Sequence, residues 1–261
     1  MRKLTILTLM GGRWHSLDPY LQCLEALECD PKEITLLWFS NARTWFVNLI
    51  ERLAPCLEEK GFEVRIIHDP TLEPSDNVFT EGGPRVDMHV NTITVLYNTA
   101  WQYVKTNDVL FLEDDVLVPS HALGRLTGDL EKKPKAAMIA SCVFDRHAQG
   151  APAVFAWRIL KGTAEEGGKR KIQYVSAPVQ TPWGLQPVSC AGFSCSLIRR
   201  SRLPRRLQGE LPFKTRHPDK EFAAFSGCDI VFSLELQKYG RQVFCDFDVR
   251  PLHLDSKGMV H

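Results

Sequence analysis

The sequence predicts an α/β fold: a mostly parallel central sheet flanked by helices, with a smaller mixed sheet in the second half. Three observations lead there. Short strand-like and longer helix-like segments alternate through the first half, at the spacing that builds a parallel sheet covered on both faces. The strand segments are nearly continuous runs of apolar, β-branched or aromatic residues, as expected of strands buried on both sides. Each is closely followed by polar or turn-forming residues.

Taken in order, the strand candidates are 4–10, 34–40, 63–68, 109–112 and 136–143, and the helices between them are 17–27, 44–60, 90–105 and 120–132. The first run, Leu4 to Met10, resembles a signal peptide in being apolar. It contains Thr5 and Thr8 and meets Gly11-Gly12-Arg13-Trp14 instead of a small-residue cleavage site, so it reads as a buried first strand. No stretch approaches the roughly 18 apolar residues of a membrane span. With no export signal, the expected compartment is the cytosol. The second half changes character, with strands at 172–177, 188–198 and 243–249 and a helix at 226–239. Two loops break the rhythm: 68–85, rich in Pro, Asp and Gly, and 162–171, charged and Gly-rich, an exposed hairpin tip or a mobile loop.

A chain of 261 residues with 44% hydrophobic and 24% charged residues has the composition of one large globular domain, which excludes a mainly disordered protein. Lys plus Arg number 32 against 31 Asp plus Glu, so net charge gives no support to a polyanionic partner for the whole molecule. The eight cysteines form no C-x-x-C pair, and most sit in apolar segments, so they read as reduced small hydrophobes.

The strongest chemical signal is Glu113-Asp114-Asp115 at the end of the apolar run 108–112. In open α/β sheets ligands bind beyond the carboxyl ends of strands. Three adjacent carboxylates leaving a buried strand repel one another and are partly desolvated, so a bound cation compensates them naturally. Oxygen donors suit Mg²⁺ or Mn²⁺, which keep open positions for phosphate and water. A solvated acidic turn is the ordinary alternative for such a triplet. A phosphoryl-aspartate enzyme fits less well, because its nucleophile follows the first strand and this cluster follows about the fourth.

At these residues the sequence resembles the GT-A class of glycosyltransferases, especially the inverting, family-2-like branch. Phe111-Leu112-Glu113-Asp114-Asp115 is similar to its D-x-D metal motif in an E-D-D variant, and Met88 to Asn91 with Tyr97 to Trp101 resemble the helix leading into that strand. The resemblance implies a Rossmann-like single domain over 1–261, with a nucleotide-sugar half at 1–118 and an acceptor and catalytic half at 119–261. It implies Asp115 as a direct metal ligand, with Asp114 and Glu113 contacting ribose or sugar or orienting the site. Gly192, in Ser189 to Arg200, is similar to the Gly beside the donor sugar, where a missing side chain admits close approach; a packing Gly in a buried strand is the alternative. Asp229 resembles the general base that deprotonates the acceptor hydroxyl, while a helix cap would also explain it. His253 resembles a C-terminal His that serves as second metal ligand, with Asp255 as its orienting partner, while a structural histidine is the alternative.

The loop after the first strand, Gly11 and Arg13 above all, is expected at the nucleotide, with Asp69 and Arg85 toward base and phosphate. For the acceptor, Arg199 and Arg200 open the densest basic run, ending at Arg206, and Trp183 offers a stacking surface; a solvated helix face and rim packing explain them equally. The functional expectation is a hexosyl- or N-acetylhexosaminyl-transferase that moves a sugar from a nucleotide-sugar, UDP-sugar the favoured class, to an acceptor hydroxyl with inversion, using Mn²⁺ or Mg²⁺. The alternatives are transfer to a hydroxylated nucleic-acid base held near the Arg run, and a non-catalytic nucleotide-sugar or glycan-binding module. A nucleotidyltransferase is disfavoured by the absence of its Gly-rich signature and Lys after the first strand.

Overall fold

The computed structural model describes residues 3–72, 86–143, 156–166, 169–179, 183–209, 211–216 and 227–254. Its first strands and helices follow the predicted alternation: β1 (Leu4–Leu9), α1 (Trp14–Glu25), β2 (Ile34–Ser40), α2 (Thr44–Glu59), β3 (Glu63–His68), α3 (Val86–Trp101) and β4 (Asp108–Leu112). A short β5 (Val116–Leu117), α4 (Ala122–Lys132) and β6 (Ala136–Ser141) follow. The second half holds β7 (Ala156–Glu166), β8 (Lys169–Pro178), β9 (Leu185–Val188), β10 (Cys190–Ala191), β11 (Cys195–Arg199), α5 (Cys228–Lys238), β12 (Gln242–Asp246) and β13 (Leu252–His253).

An eight-stranded sheet in the order β3-β2-β1-β4-β11-β6-β12-β9 forms the body of the molecule. Strands β3, β2, β1 and β4 are mutually parallel, β11 runs antiparallel between β4 and β6, and β12 is parallel to β6. The order reverses between β1 and β4, which makes that seam a topological switch point, the place where open α/β sheets bind ligands.

Period-two side-chain placement explains why every central strand is apolar on both faces. Ile6, Leu36, Trp38, Leu110 and Leu112 point to one side, where Leu17, Tyr20 and Leu24 of α1, Ile50 and Leu57 of α2, and Leu126 and Leu130 of α4 cover them. Leu7, Leu37, Phe39, Val109 and Phe111 point to the other, under Tyr97 and Trp101 of α3 and Phe232 and Leu236 of α5. Each fully buried large side chain contributes about 1.5–3 kcal/mol. Phe111 is the centre of the second layer: its ring stacks on Phe193 at 4.7 Å and packs against Tyr97 at 5.2 Å and Phe213 at 5.7 Å. This aromatic cluster fixes the end of β4, from which the acidic triplet emerges.

Three expectations need correction. Of the two readings of 162–171, the hairpin holds and the loop does not, and the hairpin is longer than a tip: β7 and β8 pair from Trp157↔Pro178 to Glu166↔Lys169. The single strand expected at 188–198 is three: β9 ends at Val188, and β10 and β11 are separated by residues 192–194. The smaller sheet, β10-β7-β8, is antiparallel throughout, and the mixed pairing belongs to the main sheet instead. Backbone pairing makes a strand whatever the side-chain charge, so Lys and Glu there do not mark a loop.

Candidate active site

The turn after β1 and the turn after β4 meet at the switch point. Gly12, with φ +84°, makes the first turn, and a Cβ there would sit 3.4 Å from Ala42 Cβ at the end of β2. This positive φ turns the chain back over the sheet edge and brings Gly11 and Arg13 onto the triplet. Gly11 N–H donates to Asp114 Oδ2 at 3.0 Å, and Arg13 Nη1 donates to Asp114 Oδ1 at 2.6 Å. The same Nη1 lies 3.1 Å from Asp115 Oδ2.

The three carboxylates therefore do not act as a block. Asp114 has both oxygens engaged by the β1 turn. Asp115 is reached from the opposite side by His253, whose Nε2 lies 3.5 Å from Asp115 Oδ1 and 3.9 Å from Glu113 Oε2. His253 is placed by a two-strand ladder: β13 pairs with β5 so that His253 faces Val116, and Leu254 N–H donates to the Asp115 carbonyl at 2.8 Å. One ligand atom from each of Glu113, Asp115 and His253 lies within 4.8 Å of the other two. Two carboxylate oxygens and an imidazole nitrogen form a donor set that suits a borderline-hard divalent ion such as Mn²⁺.

Electrostatics agree with the geometry. Burial raises the pKa of Glu113, and the neighbouring Asp115 raises it further, against opposing effects of His253, Arg13 and a hydrogen bond from Ser194. Burial likewise raises Asp114, opposed by Arg13 and the Gly11 N–H. Burial alone would lower Arg13, but Asp114, Asp115 and Glu113 outweigh it and hold the guanidinium firmly charged.

Gly192 lies between β10 and β11, not inside a continuous strand. Its carbonyl accepts from Ser196 Oγ at 2.6 Å, and two residues on the Ser194 carbonyl accepts from Glu113 N–H at 3.0 Å. Ser194 thus contacts Glu113 through backbone and side chain, a role that sequence reading missed although it falls inside the segment singled out around Gly192. Asp229 occupies the first turn of α5, where its Oδ1 accepts from Ile230 N–H at 2.8 Å. Gly227, with φ +110°, precedes it, and a Cβ there would meet Asp229 Oδ1 at 2.9 Å, so only glycine leaves that carboxylate its position. Burial raises the Asp229 pKa. Burial raises the pKa of the Tyr97 hydroxyl, and the charges of Glu113, Asp229 and Asp114 raise it further.

Asp69 stands at the same sheet edge after β3, its Oδ1 accepting from Thr71 N–H at 3.0 Å. Trp183 is 69% exposed and precedes β9, whose Leu185 pairs with Asp246 at the carboxyl end of β12. It shares the edge but lies at the far side of the sheet. Arg85 and Asp255 fall outside the described residues.

Arg199 and Arg200 are not brought to this edge. Arg199 pairs with Asp108 at the start of β4, roughly 13 Å of strand from Leu112. There Arg199 makes two hydrogen bonds to Asp108, at 2.8 and 2.7 Å, and an ion pair with Glu131 at 2.7 Å. Arg200 lies over the Trp101 ring at 5.2 Å and donates to the Val104 and Thr106 carbonyls. Arg202 donates to the carbonyls of Leu130 and Lys133 at the end of α4 and of Ala136 at the start of β6. These guanidiniums tie α4, β4 and β11 together and complement a helix C-terminus.

No family model matches the sequence, and no curated protein matches it. Solved structures do match its fold. A mannosyltransferase, PcManGT from Pyrobaculum calidifontis in complex with GDP-Man and Mn²⁺, superposes with a TM-score of 0.58 at 14% identity, covering 96% of this chain and 56% of that one. S. aureus TarS 1-349 superposes with a TM-score of 0.55 at 13% identity over 95% of this chain and 59% of that one. Its complex with UDP-GlcNAc gives 0.54 at 12% identity over 95% and 57%. The chain thus spans less than two thirds of the length of these neighbours. At such identities the likeness establishes the fold: the mostly parallel α/β sheet of these nucleotide-sugar-binding structures.

Proposed function

We propose that this chain is a metal-dependent glycosyltransferase that moves a sugar from a nucleotide-sugar to an acceptor hydroxyl. The observation that carries this reading is the convergence of Glu113, Asp115 and His253 within 4.8 Å at the switch point of the sheet. A fold shared with GDP-Man and UDP-GlcNAc complexes supports it. Glu113 Oε2, Asp115 Oδ1 and His253 Nε2 are the assigned metal ligands. When bound, a divalent cation supplies charge neutralisation for the diphosphate leaving group.

The protein groups divide the remaining work. Gly11, Arg13 and Asp114 form the floor under the donor: the Arg13 side chain keeps 31% of its surface exposed beyond its carboxylate contacts, so a diphosphate can reach it. Asp69 and Arg85 are assigned to the nucleoside side and Gly192 to the sugar. Asp229 is assigned as general base: it takes the acceptor hydroxyl proton as that oxygen bonds to the anomeric carbon and the bond to the diphosphate oxygen breaks. This is a single displacement with inversion. UDP-sugar is the favoured donor class, Mn²⁺ the favoured ion, and Trp183 a platform for an extended acceptor. Internal engagement of Arg199, Arg200 and Arg202 counts against a nucleic-acid acceptor held by the basic run.

A panel of UDP- and GDP-sugars, each with Mn²⁺ or EDTA, tests the reading by thermal stabilisation and by release of nucleoside diphosphate. Stabilisation and slow release with one donor, dependent on Mn²⁺ and absent in Asp115→Asn, is the expected result. Stabilisation without any release, even with a broad glycan acceptor panel, would favour a binding module.

A further inference from the structure

We infer that Arg13 is a resident counter-cation of the metal centre, which weakens binding of the free metal ion and makes metal and nucleotide diphosphate bind cooperatively. The inference rests on the metal-dependent reading above. Its basis is the way one guanidinium nitrogen is shared. Arg13 Nη1 is 2.6 Å from Asp114 Oδ1 and 3.1 Å from Asp115 Oδ2, while the other Asp115 oxygen faces His253 at 3.5 Å. Asp114 and Asp115 side chains are 3% and 1% exposed, so water screens these contacts poorly.

Two consequences follow. The first concerns geometry: with Oδ2 held by Arg13, Asp115 presents Oδ1 alone toward Glu113 and His253, and Asp114, engaged by Arg13 and Gly11 N–H, is withheld from the ligand set. The second concerns charge. In the metal-free protein Arg13 compensates Asp114 and Asp115 from one side, while His253 faces Asp115 and Glu113 from the other. A divalent ion entering beside Asp115 then meets a cation already on the far oxygen of the same carboxylate. A diphosphate relieves that repulsion because it is an anion for both the incoming metal and Arg13, whose side chain is 31% exposed on the open side. Binding of either partner therefore strengthens binding of the other by the same factor.

The test measures Mn²⁺ affinity by electron paramagnetic resonance or calorimetry, with and without UDP or GDP, in wild type, Arg13→Gln, Arg13→Lys and Asp115→Asn. Arg13→Gln is expected to bind free Mn²⁺ about tenfold tighter than wild type, and to lose most of the gain that the nucleotide confers. It should melt earlier than wild type in EDTA and recover much of that deficit with Mn²⁺. Arg13→Lys, which keeps the charge, should retain wild-type metal affinity. Unchanged or weaker binding of free Mn²⁺ by Arg13→Gln overturns the inference while leaving the metal site standing, provided Asp115→Asn abolishes binding. A melting deficit that Mn²⁺ does not restore would assign Arg13 a packing role only, and also overturns it. Absence of Mn²⁺ binding in wild type, with and without nucleotide, would instead remove the metal-dependent reading and this inference with it.

Discussion

His253 Nε2 lies 3.5 Å from Asp115 Oδ1 because the short ladder between β13 and β5 sets His253 opposite Val116, one residue beyond that aspartate. The C-terminal segment thereby closes over the end of β4, and a residue remote in sequence completes the cluster.

Replacement of the pair tests that closure. Asp115→Asn and His253→Ala are each expected to abolish detectable Mn²⁺ binding by calorimetry. Each should lower activity by more than the roughly 10–100-fold that loss of an outer partner of a metal site costs. Circular dichroism should remain that of the wild type, since the β13–β5 ladder is made by backbone groups. Normal Mn²⁺ affinity in His253→Ala would restrict the ligand set to the carboxylates.

Asp229 is expected to act on turnover alone. Asp229→Asn should reduce kcat by about 10²–10⁴-fold while donor and Mn²⁺ affinity stay unchanged. The base works ionised, and burial raises its pKa, so wild-type activity should climb with pH through a value above 3.8, the ordinary aspartate figure. The stability effect has the opposite sign. Between 3.8 and its raised pKa the folded chain holds more protons at this site than the unfolded chain, so the contribution of Asp229 to stability falls as pH rises through that interval. Asp229→Asn should therefore melt at or above the wild-type temperature at pH 7, an advantage that fades on acidification.

A glycine two residues earlier offers an independent handle on the same carboxylate. Gly227→Ala forces a side chain into φ +110° and against Asp229 Oδ1. The expected cost is about 1–3 kcal/mol in urea unfolding, with a fall in kcat and an unaltered Mn²⁺ dissociation constant. Unchanged kcat would mean that the position of Asp229 does not govern turnover.

The basic run should behave as structure. Arg199→Ala leaves Asp108 without its two-pronged partner, and a loss of about 3 kcal/mol is expected by denaturant titration. Arg202→Ala, which uncovers three carbonyls at the end of α4 and the start of β6, should cost about 1–3 kcal/mol. Both variants should keep wild-type kcat/KM well below their melting points; a raised acceptor KM in Arg199→Ala would return that residue to the acceptor site.

Much of the sheet was legible because burial imprints a local pattern. Ile6 with Leu7, Leu36 with Leu37 and Leu110 with Phe111 serve opposite faces, which only a doubly covered strand requires. The hairpin β7–β8 was legible only as a strand at 172–177 and a tip before it; its full length was not, since Lys169 to Lys171 and Glu165 to Glu166 carry loop-like composition while the backbone pairs. The Arg run failed for a related reason: sequence records five guanidiniums in eight residues but not that Asp108, Trp101 and the α4 carbonyls wait beside three of them.

The acidic triplet divides along the same line. That Glu113, Asp114 and Asp115 leave a buried strand at a sheet edge is determined by sequence, because a continuous apolar run and its abrupt acidic end are local properties of the chain. That Asp114 turns to Gly11 and Arg13 while Glu113 and Asp115 turn to His253 was decided only by tertiary structure. Adjacent carboxylates are chemically alike, and what distinguishes them is the field of partners that the register of β1, β4, β5 and β13 carries in from distant parts of the chain.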